Sequence, residues 1–172
     1  MTDAARERLT AFLRPLYQDL DGASRVDDVE RIGAIVRRLH PNPSDSLDLL
    51  IAFHRLGTWL EKVGNASRTS LATGISEADL RRTAASIRRL DAPETAEERA
   101  VAAAVLIDAA GVRGLAERFA RSRREGRSVI DVAHEAIAET SAPEWMNDEA
   151  RELLEQRRET RRRFAEAVIA DE

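Results

Sequence analysis

The spacing of apolar residues constrains this chain more than any other feature. They recur at intervals of three and four along most of its length, and no segment of useful length alternates with period two. A three-four rhythm lines one face of an α-helix, whereas a half-buried strand needs strict alternation. The chain therefore reads as all-α. Its 172 residues are enough to bury a real core and fit one domain. We expect a single helical bundle of about seven helices spanning residues 1–172.

Start and stop signals place the helices. Asp3 caps a first helix carrying Leu9, Phe12, Leu13 and Leu16, with Pro15 set to kink its end. A second runs from about Asp27 to Leu39, with Val29, Ile32, Ile35 and Val36 inward, and Pro41 and Pro43 close that unit. Ser44 or Ser46 opens a third, which continues to a stop signal at Gly64-Asn65. Ser76-Glu77-Ala78-Asp79 resembles a capping box with Asp in place of Glu, and Thr95-Ala96-Glu97-Glu98 fits the box itself. They start a fourth helix and a fifth, the latter ending near Ala110. Gly111 marks a break before a helix over Val112 to Arg124, and Ser128 opens the next. Ser141-Ala142-Pro143-Glu144 reads as the start of a last, highly charged helix that includes Trp145 and Met146.

Composition excludes several function classes. There are 31 acidic and 27 basic residues, a net charge of −4, which argues against a nucleic-acid or membrane partner. Two arginine-rich runs, 118–127 and 157–163, hold a single interleaved aromatic residue, Phe119, too few for a series of base-stacking platforms. Glu117, Glu125, Glu155 and Glu159 sit among them at helical spacing, so they read as solvated helix faces. Cysteine is absent, which removes disulfides and thiolate chemistry. No N-terminal signal pattern is visible, and no apolar run approaches the roughly 20 residues needed to span a bilayer. The expectation is a soluble cytoplasmic protein.

The third helix carries the most information. Leu49, Phe53, Leu56, Leu60 and Val63 form one apolar stripe, and Leu47, Ile51, His54 and Thr58 form a second beside it. Two adjacent apolar stripes belong to a helix packed on most sides, so His54 starts from a buried or half-buried position. Read from the residues alone, it is a core histidine bonded to a carbonyl.

The segment Phe53-His54-Arg55-Leu56-Gly57 resembles the Leu-His-Asp-(Leu/Ile)-Gly motif of the HD-domain metal phosphohydrolases. Pro93-Glu94-Thr95-Ala96-Glu97, Asp108-Ala109-Ala110-Gly111-Val112-Arg113-Gly114, Phe119-Ala120-Arg121 and the helix through Arg157, Arg158 and Phe164 continue the likeness over most of the chain. The resemblance implies an HD-type helical bundle. It also implies a metal site, and here the ligands fail one by one. The second-helix histidine would fall near Asp28, Val29 or Glu30, and the distant aspartate within Ala102 to Val105. A further histidine would fall near Arg88 or Arg89. Only His54 remains, and Arg55 stands where the motif has its aspartate. An arginine has no lone pair to give and keeps its positive charge at physiological pH, so it repels a divalent ion. No metal and no other cofactor is expected.

What the resemblance leaves is a metal-free pocket for a small anionic molecule. A guanidinium presents a planar fork suited to phosphate or carboxylate, which makes Arg55 the candidate anion holder. His54 and Glu30 are the candidate acid–base pair. Trp59, Arg68, Asp108 and Arg113 are further candidate ligand contacts. Two functions follow: a metal-independent acid–base enzyme of specialised metabolism, or a non-catalytic pseudoenzyme that senses a ligand or binds a partner protein. A phosphohydrolase with a rearranged metal site is a third. Each bland alternative stands beside its candidate: Arg55 as an internal ion pair, Glu30 as a solvated carboxylate, Arg68 and Arg113 as surface residues, Asp108 as a cap. The Trp145-Met146 region and the long last helix suit a homodimer contact.

Overall fold

The computed structural model describes residues 2–21, 26–138 and 141–171, and every regular element among them is helical. The ten helices are α1 (Asp3–Asp21), α2 (Val26–Leu39), α3 (Asp45–Phe53), α4 (Gly57–Leu60), α5 (Asn65–Thr73), α6 (Glu77–Arg88), α7 (Ala96–Ala109), α8 (Val112–Arg124), α9 (Val129–Ala138) and α10 (Asp148–Ala170). The all-α reading is correct. The difference from seven lies mainly between Ser44 and Ser76, where one long helix was expected and three short ones stand.

The caps explain the boundaries. Ser44 accepts the amide of Leu47 at 3.0 Å and opens α3; Ser76 accepts that of Asp79 at 3.1 Å and opens α6. At α7 the capping box is reciprocal: Thr95 Oγ1 accepts the Glu98 amide and Glu98 Oε2 accepts the Thr95 amide, both at 3.1 Å. The last helix begins later than the sequence suggests. Asn147 caps α10 by accepting the amide of Ala150 at 2.9 Å, so Trp145 and Met146 lie in the turn before it. Asn is as good a cap as Ser, and it stands closer to the charged helical run.

The expected third helix breaks at the motif itself. Leu56 takes φ −108°, ψ 14°, outside the helical well, and its amide bonds to Phe53 O at 2.7 Å. The chain re-enters helix at Gly57, where a Cβ would lie 2.6 Å from Ile87 Cγ2, so α4 is seated directly on α6. Gly64 is not a simple stop: it adopts φ +84° and leads into α5, a helix the sequence reading missed. The buried face of α5 is Ala66, Thr69 and Thr73 rather than large aliphatics, which is why periodicity did not reveal it. The hydroxyls of Thr69 and Thr73 bond back to Asn65 O and Thr69 O, each at 2.7 Å. Val63, placed on the core stripe by spacing, is fully exposed in the turn between α4 and α5. The other four residues of that stripe are buried.

The chain divides into two compact units, Met1–Ala102 and Ala103–Glu172, with the boundary inside α7. The core of the first unit joins Leu9, Leu13 and Tyr17 of α1 to Leu49 and Phe53 of α3, Leu56, Leu60 of α4 and Leu80 of α6. The second unit centres on Leu115 of α8, Val132, Ala133 and Ala136 of α9 and Ala165 of α10. Among the described residues, no helix is long and apolar enough to cross a membrane.

Candidate functional site

His54 follows the last turn of α3 and is buried, with 9% of its surface exposed. Its Nδ1 lies 2.8 Å from Ile51 O. A carbonyl oxygen only accepts, so Nδ1 carries a proton, and in the neutral side chain Nε2 keeps the lone pair. Tyr17 reaches the same place from α1. Its hydroxyl donates to Ala52 O at 2.9 Å and lies 3.5 Å from His54 Nδ1, with the two rings tilted at 41°. Burial pushes the Tyr17 phenol above its ordinary value, and the amide and charge of Arg55 offset only part of that. The carbonyls of Ile51 and Ala52 belong to the end of α3, where the helix breaks. The histidine and the tyrosine thus serve groups that the broken ladder leaves behind.

Arg55 does not stand alone. Its Nη1 is 3.4 Å from Asp28 Oδ2, while Nη2 of Arg31 is 2.9 Å from Asp28 Oδ1. The Asp28 side chain is 4% exposed and the two arginines 35% and 28%. A buried carboxylate therefore sits between two guanidinium groups at the surface. Glu30, the candidate acid–base partner of His54, is exposed as in its solvated alternative, and the inward carboxylate of α2 is Asp28. Two residues along a helix turn the side chain by about 200°, so if Asp28 points in, Glu30 points away. Glu30 lines a separate small cavity of about 230 Å³ with Arg6, Gly33, Arg37 and Asp48.

The remaining candidates disperse. Trp59 is half-buried and packs edge-on against Phe12, ring centroids 6.0 Å apart. Arg68 is exposed on α5. Asp108 and Arg113 belong to the second unit; Asp108 is half-buried near the end of α7, and Arg113 is exposed and pairs with Glu117 at 3.4 Å. The arginine-rich runs carry many carboxylate partners: Arg118 and Arg127 both reach Glu135, Arg158 reaches Glu155, and Arg162 and Arg163 share Glu159. Among the described residues, no three His, Asp or Glu side chains converge to hold a metal ion.

A larger feature lies elsewhere in the first unit. A cavity of about 700 Å³ is bounded by the start of α1, by α3, by the α5–α6 turn and by the start of α7. Leu49, Leu50 and Ile75 give it apolar wall, and Arg8, Thr83 and Glu97 give it polar groups. Neither His54 nor Arg55 lines it. Beside it Glu98, 1% exposed, receives Arg89 Nε at 3.1 Å and the amides of Glu94 and Thr95 at 3.0 and 3.1 Å. Burial alone would raise this carboxyl, but Arg89 and the amides outweigh it and hold it at about 2. Sequence reading found Glu98 as a cap residue and missed the cavity, because its lining comes from four separate stretches of chain.

No family model, curated protein or solved structure matches the chain. Function must therefore be argued from these residues themselves.

Proposed function

We propose that this chain is a non-catalytic, ligand-binding module built on a helical fold of HD type, and that the His54–Arg55 segment is a structural joint in it. One observation carries the reading: the Asp28 carboxylate, 4% exposed, receives both Arg31 and Arg55. That carboxylate ties the Arg55 guanidinium to α2, its single negative charge shared with Arg31, so Arg55 serves the fold as a link between elements rather than standing loose for an incoming anion. The small molecule then has a better berth in the 700 Å³ cavity, whose size is typical of ligand sites and which mixes apolar wall with a few polar groups.

A second reading, a metal-independent acid–base enzyme, draws on the proton at His54 Nδ1. That tautomer leaves Nε2 as a base, as in many catalytic histidines.

Thermal-shift screening of a metabolite library separates the two. A stabilising ligand whose effect survives His54→Ala and is lost in the cavity-filling variant Ile75→Trp, with helicity retained, supports the binding module. Turnover of any hit that His54→Ala abolishes, with helicity retained, replaces it with the enzyme. Stabilisation by one equivalent of a divalent metal, lost in His54→Ala, would return the chain to metal chemistry.

A further inference from the structure

From the charges left over in the 700 Å³ cavity we infer its ligand class: a zwitterionic amino-carboxylate, of the size of an amino acid or short peptide. The inference rests on the binding-module reading and adds the chemistry of the ligand.

Arg82 is bonded to Asp79, and Glu98 to Arg89. Asp45, also on the wall, lies in the field of Arg6, which leaves Glu97 and Arg8. Glu97, half-buried in the first turn of α7, takes hydrogen bonds from the hydroxyls of Ser44 and Ser46, the latter at 3.0 and 2.8 Å to its two oxygens. Among the described residues no guanidinium, ammonium or imidazole meets it. Hydroxyl donors orient a carboxylate without neutralising it, and two oxygens can accept more bonds than these. A part-buried, oriented and unneutralised carboxylate is a receptor for a cationic donor.

Arg8 is the opposite pole. Its Nε donates to Thr73 O at 3.3 Å, which fixes the guanidinium at the cavity edge beside Gly74. Its Nη2 lies 3.7 Å from where a Cβ on Gly74 would be, ordinary contact distance, so glycine is needed here for its φ of +79°. Among the described residues no carboxylate pairs with Arg8. Its two Nη groups form a fork of the kind that takes a carboxylate in two parallel bonds.

Between the poles lie Leu49, Leu50 and Ile75, which give an uncharged body apolar contact. A simple anion would use Arg8 and lie near the unneutralised Glu97. A simple amine would do the reverse. A molecule bearing both charges satisfies both ends.

Isothermal titration of the full chain tests this with a panel of free amino acids and dipeptides, and with acetate, inorganic phosphate and putrescine as single-charge controls. The expected result is saturable binding of at least one amino-carboxylate. That binding weakens at least tenfold in Glu97→Gln and in Arg8→Met, with circular dichroism unchanged. Gln keeps an acceptor for the serines, so the fold survives the test. Binding confined to phosphate or to putrescine would overturn the ligand class and leave the binding module intact. No binding of any amino-carboxylate, or binding indifferent to both substitutions, would overturn the inference outright.

Discussion

Arg55 Nη1 lies 3.4 Å from Asp28 Oδ2, a carboxylate only 4% exposed that Arg31 also holds at 2.9 Å. The residue that looks like a lost metal ligand is therefore one partner of an ion triad linking α2 to the break after α3. Removing the carboxylate should leave two guanidinium groups facing each other across its vacated place. Asp28→Asn is expected to cost about 1–3 kcal/mol in urea denaturation. Glu30→Gln, two residues away and exposed, should stay within about 0.5 kcal/mol of the parent.

Gly114 should tolerate no side chain. A Cβ there would stand 1.9 Å from Ala109 O, a backbone atom that cannot swing aside. Gly114→Ala is expected to lose about 3 kcal/mol or more. Gly126→Ala meets nothing within 4 Å and bears only the strain of φ +69°, about 1 kcal/mol. Melting temperatures of the two variants should differ in that order.

Glu98 gives stability a definite acid limit. Its carboxyl is held at about 2, below its ordinary 4.5, so the folded state binds the proton less readily than the unfolded one. Its contribution is complete above pH 4.5 and fades as pH falls toward 2. Denaturation midpoints should fall across that window, and Glu98→Gln should flatten the fall while costing roughly 2–3 kcal/mol near neutrality.

Tyr17, the single tyrosine, reports on the same core. Its phenol is raised by burial, so the folded state keeps the proton that the unfolded chain gives up near pH 10. Stability is full below that pH and is lost above it. The phenolate absorbance should then rise together with loss of helicity, not before it. Tyr17→Phe removes the bond to Ala52 O and is expected to cost about 1 kcal/mol.

Much of the fold is legible in the sequence because its signals are local. Ser44, Ser76 and the Thr95–Glu98 box mark helix starts with short side chains bonding nearby amides, and Gly111 separates α7 from α8 as read. What escaped depends on contacts between distant segments. The break at Leu56 is tied to the seating of Gly57 against Ile87, thirty positions away in sequence, and α5 buries threonines whose hydroxyls are satisfied only once the helix exists. At the site, the sequence indicated that His54 is buried and that Arg55 has an alternative as an internal ion pair. It did not name Asp28 as the partner, because the phase of α2 against α3 is a tertiary fact.

A double-mutant cycle between Asp28 and Arg55 tests the central claim most directly. Urea denaturation of Asp28→Asn, Arg55→Gln and the double variant yields their coupling free energy. A structural ion pair predicts coupling of about 1 kcal/mol, with the double variant less destabilised than the sum of the singles. Coupling near zero, with Arg55→Gln neutral for stability, would contradict it and restore Arg55 as a cation held for a ligand.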